Sequence, residues 1–125
     1  MLSYVANVLA GLIGAGVVLM GAGNLLVPRA ALGFGIPGTP TEDHTVRAWL
    51  AVKAARDTAL GALLLIVLVG ATPHLLGWVM LAATAIPAAD ALIVARSNGP
   101  RSAVYGVHGA TAAVMLATSV LLLVA

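Results

Sequence analysis

Long apolar stretches, separated by short segments that hold most of the prolines, dominate the hydrophobic pattern of the chain. Four stretches are almost entirely aliphatic or small, at residues 2–27, 45–69, 73–95 and 102–125. Each has at least about 20 residues, enough for an α-helix rising 1.5 Å per residue to cross a hydrocarbon core of about 30 Å. The pattern predicts an all-α membrane protein, a four-transmembrane-helix bundle forming a single domain over residues 1–125.

The composition supports a lipid environment. Hydrophobic residues make up 62% of the chain and charged residues 8%, with a mean hydropathy of +1.10. Soluble domains carry about 25% charged residues, so this chain has too few to cover a surface in water. The basic residues are scattered and form no nucleic-acid footprint, and the absence of cysteine excludes thiol catalysis and Cys-ligated metals. The expected partner is the lipid bilayer, with no nucleic acid.

The distribution of arginine predicts an orientation. Arg29 and Arg47 flank the first interhelical segment, and Arg96 and Arg101 flank the third. The amino end and the turn at residues 70–74 carry neither lysine nor arginine. Because basic residues favour the cytoplasmic side, we expect a multi-pass protein of the cell membrane with both termini outside.

The second apolar stretch carries unexpected charges. Lys53, Arg56 and Asp57 lie about 12, 16 and 18 Å from its cytoplasmic end, too deep for residues at the membrane rim. Their i, i+3 and i, i+4 spacing places them on one broad helix face. Either Thr41 or Thr39 is expected to cap this helix. The two cations repel each other, so a second carboxylate from another helix is required.

The other three stretches carry polar residues at a similar depth. Asp90 precedes the end of the third by about 9 Å, and His108 follows the start of the fourth by about 9 Å. Asn24 lies one turn before the end of the first. Pro87 is expected to open a kink beside Asp90, and Tyr105, one turn before His108, to share its face. The sequence predicts that these side chains meet in one intramembrane cluster.

Two interpretations of this cluster stay open. Buried ion pairs can fix the register of four helices without any other role. Ionisable residues inside a membrane are nevertheless usually functional, and five titratable groups at one depth exceed what a fixed register requires.

Two other motifs predict little. GFGIPG, residues 33–38, matches the dinucleotide-binding pattern but follows an apolar helix and contains a proline, so no nucleotide cofactor is expected. His44 and His74 lie in opposite loops of the predicted topology. A metal beside His108, Asp57 and Asp90 would be repelled by the nearby cations, so no metal is expected.

The pattern resembles a family of small four-helix membrane proteins, the domain of unknown function DUF4267, similar in build to the DoxX-like group. The resemblance covers almost the whole chain. It rests on four motifs, which are PRAALGFGIP, VKAARDTALG, IPAADALIVAR and HGATAAVML. It implies a helical bundle in which these positions are characteristic, and it implies no particular chemistry.

Three functions follow from the cluster as hypotheses. The first is an acid–base enzyme for isomerisation, cyclisation or epoxide opening of a small hydrophobic or amphipathic molecule, with no cofactor. The second is an accessory or structural subunit, and the third a solute-binding or transport protein that acts as a homodimer. For the enzyme, each predicted site residue has a role: Asp57 or Asp90 is the base, His108 the proton donor or relay, Lys53 and Arg56 stabilise negative charge, and Asn24 and Tyr105 orient the substrate.

Overall fold

The computed structural model describes residues 1–125 and contains only helices. Their bounds are α1 Leu2–Leu26, a 3-10 helix Pro28–Phe34, α2 His44–Gly70, α3 Pro73–Arg96, α4 Arg101–Ala103, a π-helical turn Val104–Gly109 and α5 Ala110–Val124. The last three follow one another without a break and form one helical rod, Arg101–Val124. The predicted all-α class is confirmed, and the chain has five α-helical segments because the π-helical turn divides the last of the four predicted helices.

Three helices are long and apolar enough to cross a membrane, which are α1, α3 and the rod Arg101–Val124. The 27-residue α2 does not meet that description, although it is the longest helix. Its charge-free part, residues 58–70, is too short to span a bilayer by itself. The membrane assignment therefore rests on three helices, and the charges of α2 separate it from the others.

The start of α2 is fixed by a carboxylate. The side chain of Asp43 accepts a hydrogen bond from the backbone N–H of Val46 at 2.9 Å, as an N-cap residue does. The threonine caps expected from the sequence are wrong. The hydroxyl of Thr39 donates instead to the carbonyl of Ile36, and Thr41 is buried in the preceding turn.

Glycines allow α1 and α2 to approach closely. A Cβ atom at Gly61 would lie 2.6 Å from the backbone nitrogen of Val18, and one at Gly21 would lie 2.6 Å from that of Thr58. Both distances are shorter than any real Cβ contact, so these positions require glycine. Small residues at helix interfaces serve the same purpose in other membrane bundles.

The helices form two closely packed pairs, α1 with α2 and α3 with α5. Between the pairs lies an apolar core, with the most buried large side chains at its centre: Leu64, Leu76, Met80, Met115 and Leu122. The contacts between α2 and α3 are few. The bundle therefore has space between its two pairs.

The segments before α2 and before α4 meet at one end of the bundle. Gly35 has a φ of +103°, which a side chain rarely adopts, and a Cβ atom at Gly99 would lie 2.5 Å from the carbonyl oxygen of Gly35. Phe34 packs against a small core formed by Val94, Ala103 and Val104. This end of the bundle is closed by the 3-10 helix.

Candidate functional site

A cavity of about 150 Å³ lies inside the closed end of the bundle, and we call it the chamber. Every long helix and the 3-10 helix contribute to its wall. Apolar side chains form most of the lining. Its polar lining residues are Asn24, Lys53, Asp57, Asp90, His108 and Thr111. Five of the seven sequence-predicted site residues therefore line one cavity, and Arg56 and Tyr105 do not.

Lys53 and Asp57 form the single ion pair of the protein. The Nζ atom of Lys53 donates to Oδ2 of Asp57 at 2.5 Å. The Lys53 side chain is 37% exposed and the Asp57 side chain 16%. Both residues belong to α2, one turn apart, so the pair holds no two helices together. Its effect is to place a fixed ammonium and carboxylate on the chamber wall.

Phe34 contacts both Lys53 and His108. The Nζ atom of Lys53 lies 4.7 Å from the centroid of the Phe34 ring, within the range of a cation–π interaction. The ring centroids of Phe34 and His108 are 4.3 Å apart. The sequence analysis did not select Phe34. Its available signal was that it is the chain's single phenylalanine, placed in a glycine-rich segment beside the second helix.

His108 is buried and held by the backbone. Its Nε2 atom lies 2.7 Å from the carbonyl oxygen of Phe34. A carbonyl oxygen only accepts hydrogen bonds, so Nε2 carries the proton and donates it. In the neutral ring, Nδ1 is then an acceptor, and the bond fixes both the tautomer and the ring orientation. The geometry therefore favours His108 as an acceptor for a ligand proton, where the sequence analysis gave it the role of donor or relay.

The π-helical turn explains the position of Tyr105. A π-helix bonds each N–H to the carbonyl five residues earlier, and Ala110 donates in this way to Tyr105. This wider turn changes the angle between positions 105 and 108 from that of an α-helix. Tyr105 is 71% exposed and outside the chamber, so the expectation of a face shared with His108 is not met. π-Helical turns are frequent at functional sites.

Asp90 has no partner within the protein. It is half-buried on α3 and lines the chamber, but its carboxylate takes part in no ion pair or side-chain hydrogen bond. Pro87 lies three residues earlier and also lines the chamber, as does Ala83. Because proline has no N–H, the carbonyl of Ala83 lacks its usual helical donor. The chamber thus contains an unpaired carboxylate, on a helix whose regular hydrogen bonding is interrupted three residues earlier.

Arg56 lies outside the chamber. It is exposed and lines a groove of about 340 Å³ between α2 and α3, together with Trp49. Lys53, Asp57 and Asp90 line both this α2–α3 groove and the chamber. Arg56 therefore stands near the ion pair at an opening of the chamber, without contributing to its wall.

The other polar side chains on these helices differ in position. Asn24 is half-buried and lines the chamber, where its amide can both donate and accept hydrogen bonds. The hydroxyl of Thr111 donates to the carbonyl of Val107 at 2.7 Å. The hydroxyl of Thr58 donates to Ala54 at 2.8 Å, and Thr58 contacts α1. Of these three, Asn24 alone has hydrogen-bond donors left for a ligand.

Comparison with known proteins gives one match. The family model described as a domain of unknown function, DUF4267, matches residues 14–122. The match includes the 3-10 helix and every residue of the chamber. Neither a curated protein nor a solved structure matches the chain.

Proposed function

We propose a function for this chain, which belongs to DUF4267, a family named for a domain of unknown function. On the basis of the chamber, the protein is an integral membrane enzyme that moves a proton on a small hydrophobic or amphipathic substrate. The observation that carries the proposal is the unpaired carboxylate of Asp90 in a mostly apolar cavity, beside a fixed ion pair and an oriented histidine.

The proposal includes a fourth span, formed by α2. This helix has 27 residues, about 40 Å in length, and packs along α1 through Gly61 and the residues that face Gly21. Two of its four charged residues, Lys53 and Asp57, line the chamber and neutralise each other. Pairing of this kind lowers the cost of placing ionised groups inside a bilayer, about 2.5–3.5 kcal/mol for each on insertion scales.

Each chamber residue has one part in the chemistry. The carboxylate of Asp90 takes a proton from the substrate, since no protein group competes for its oxygens. The ammonium of Lys53 has two further N–H groups beyond the one bonded to Asp57, and it stabilises the negative charge that develops. His108, through Nδ1, and Asn24 orient the substrate. In the simplest version, an isomerisation, the proton on Asp90 exchanges with water through the α2–α3 groove, which Asp90 also lines, and Asp90 then protonates a different atom of the same molecule.

The structural alternative is a cluster that only fixes the register of the helices. The geometry argues against this role for the ion pair, because Lys53 and Asp57 lie on the same helix. Asp90 bonds to no other helix. The His108 bond to Phe34 does join two elements, and it remains the one polar contact of the chamber that connects distant parts of the chain.

Deuterium incorporation tests the proposed chemistry without a known substrate. The purified protein is incubated in D₂O with a total lipid extract of the cells that produce it, and the lipids are analysed by mass spectrometry after return to H₂O. An enzyme that moves a proton onto carbon leaves one deuterium that does not wash out. We expect Asp90→Asn to lower this incorporation at least 100-fold, in line with the loss of a general base.

Tyr105→Phe is the matched control, because Tyr105 is exposed and outside the chamber. It should incorporate deuterium at the rate of the unaltered protein. Both variants should keep the melting temperature. The proposal is wrong if Asp90→Asn retains full incorporation, or if the unaltered protein incorporates none.

A further inference from the structure

A second groove adjoins the chamber on the side opposite the α2–α3 groove. It has a volume of about 350 Å³ and runs between α1 and α5 on the outer surface of the bundle. Val17, Met20, Thr111 and Met115 line both the chamber and this α1–α5 groove. The two spaces therefore adjoin along shared walls.

The walls of the α1–α5 groove are apolar. The hydroxyl of its one polar lining residue, Thr111, donates to the carbonyl of Val107, so the side chains of the groove offer no free hydrogen-bond donor. Along α1 the groove extends from Met20, which also lines the chamber, to Leu12, a distance of about 12 Å. A Cβ atom added to Gly16, which also lines the groove, would meet nothing within 4 Å. This groove has the shape and chemistry to hold an alkyl or prenyl chain.

The chamber is small for a complete ligand. Its 150 Å³ is below the range of about 300–1,000 Å³ that is usual for small-molecule sites, whereas the α1–α5 groove alone falls within that range. A ligand with its polar end in the chamber must therefore extend into an adjoining space. The α2–α3 groove is half charged, with Lys53, Arg56, Asp57 and Asp90 among its eight lining residues, so it suits a hydrocarbon chain less well than the apolar α1–α5 groove.

The charged residues in the chamber determine which head group a ligand can place there. Lys53 and Asp57 neutralise each other, and Asp90 adds an unpaired carboxylate that repels an anionic head group. A cationic ammonium head group has no lone pair to accept from the remaining N–H groups of Lys53, so it leaves them without a partner. A hydroxyl suits both, because it donates to Asp90 and accepts from Lys53.

We propose that the ligand is a single-chain alcohol, with its hydroxyl in the chamber between Asp90 and Lys53 and its hydrocarbon chain in the α1–α5 groove. This inference rests on the proposed function for its substrate, but binding in this pose does not itself require catalysis. Entry is lateral, from the bilayer, since the groove opens on the outer surface of the bundle.

Photolabelling tests the pose. The protein is reconstituted in lipid nanodiscs with a straight-chain fatty alcohol that carries a diazirine near the end of its chain, and adducts are mapped by mass spectrometry. We expect adducts on α1 near Leu12 and on α5 near Val114. An excess of the unlabelled alcohol should reduce them at least tenfold, whereas the amine and the carboxylic acid of equal chain length should reduce them less than twofold.

Two glycine variants separate the groove from general lipid contact. Gly16→Leu adds a large side chain to the lining of the groove and should lower the adducts at least fivefold. Gly23→Leu is the matched control, since it adds the same side chain on the same helix where a Cβ also meets nothing within 4 Å, away from the groove. It should leave the adducts unchanged. Asp90→Asn should reduce the preference for the alcohol over the acid.

The outcomes distinguish this inference from the proposed function. If Gly16→Leu leaves the labelling unchanged, or the acid competes as well as the alcohol, the inference is overturned, even where deuterium incorporation still depends on Asp90. If the alcohol binds as described and no deuterium is incorporated, the ligand pose stands and the enzymatic proposal fails.

Discussion

At the scale of single residues, the chamber contains three ionisable side chains that have partners within the protein and one, that of Asp90, that has none. The ammonium of Lys53 is held by Asp57 and the Phe34 ring, and the imidazole of His108 is held by the Phe34 carbonyl. The carboxylate of Asp90 has no such partner. A ligand therefore meets fixed donors and acceptors on two walls and a free acceptor on the third.

Removing Lys53 and removing Asp57 should lower the stability of the protein by different amounts. Lys53→Met leaves the mostly buried carboxylate of Asp57 unpaired, whereas Asp57→Leu leaves an ammonium that is more than a third exposed and can turn toward the α2–α3 groove. Lys53→Met should therefore lower the free energy of unfolding more than Asp57→Leu. The coupling between the two should be about 1 kcal/mol, near the upper end for exposed pairs and below that of fully buried ones.

Reversible unfolding in mixed micelles measures both single variants and the double variant. The double variant should be more stable than the sum of the single effects implies, because it leaves no charge unpaired. Strictly additive effects would show that the pair contributes nothing to stability.

At the scale of helices, the closest contact in the bundle is the glycine interface of α1 and α2. Gly61→Ala places a methyl group against the backbone of Val18 and Gly14, neither of which can move aside as a side chain does. We expect it to lower the free energy of unfolding by about 1–3 kcal/mol, the usual cost of overpacking. Thermal unfolding in detergent provides the measurement.

Gly23→Ala is the control for this prediction. Position 23 lies on α1, where an added Cβ meets nothing, so the change should be neutral or stabilising by up to about 1 kcal/mol through the helix propensity of alanine. If Gly23→Ala lowered the free energy of unfolding as much as Gly61→Ala, the effect would reflect the replacement of any glycine rather than a close interface.

The helices themselves could be predicted because hydrophobic length and glycine or proline punctuation determine them locally. The observed helix ends differ from the predicted segments by at most one residue. The 3-10 helix and the π-helical turn were not predicted, since hydrophobic length and punctuation do not distinguish a 3-10 helix from a loop or a π-helical turn from an α-helix. The prediction for Tyr105 failed for this reason, because it assumed an α-helical period through residues 104–109.

The residues that line the chamber could be predicted in part from their depth along the helices. Residues at one depth on separate helices line one cavity where they face inward, as Asn24, Asp90 and His108 do. Depth does not determine direction, and Arg56 shares its depth with the chamber but points outside. Phe34 was missed because no helical pattern marks a residue that folds back from a connecting segment.

At the scale of the whole molecule, the proposed topology places the segments at residues 35–43 and 97–100 inside and the turn between α2 and α3 outside. The chain has no cysteine, so single introduced cysteines report on their side of the membrane without background. An impermeant maleimide should label Ser3→Cys and Gly70→Cys in intact cells. It should label Glu42→Cys and Ser102→Cys only after lysis.

The pair Glu42→Cys and Gly70→Cys tests the span of α2 directly, since they lie at its two ends. Labelling of both from the same side would show that α2 does not cross the membrane. Labelling of Ser102→Cys but not Ser3→Cys in intact cells would reverse the proposed orientation.

The bond between His108 and Phe34 has a consequence for how the protein tolerates change. The acceptor is a main-chain oxygen, which every amino acid at position 34 retains. Replacing the aromatic ring would remove the surface beneath the lysine and leave the imidazole anchored. A substitution at position 34 can therefore remove the ring contact with Lys53 and keep the backbone acceptor of His108. Only displacement of the connecting segment as a whole would free the histidine to rotate.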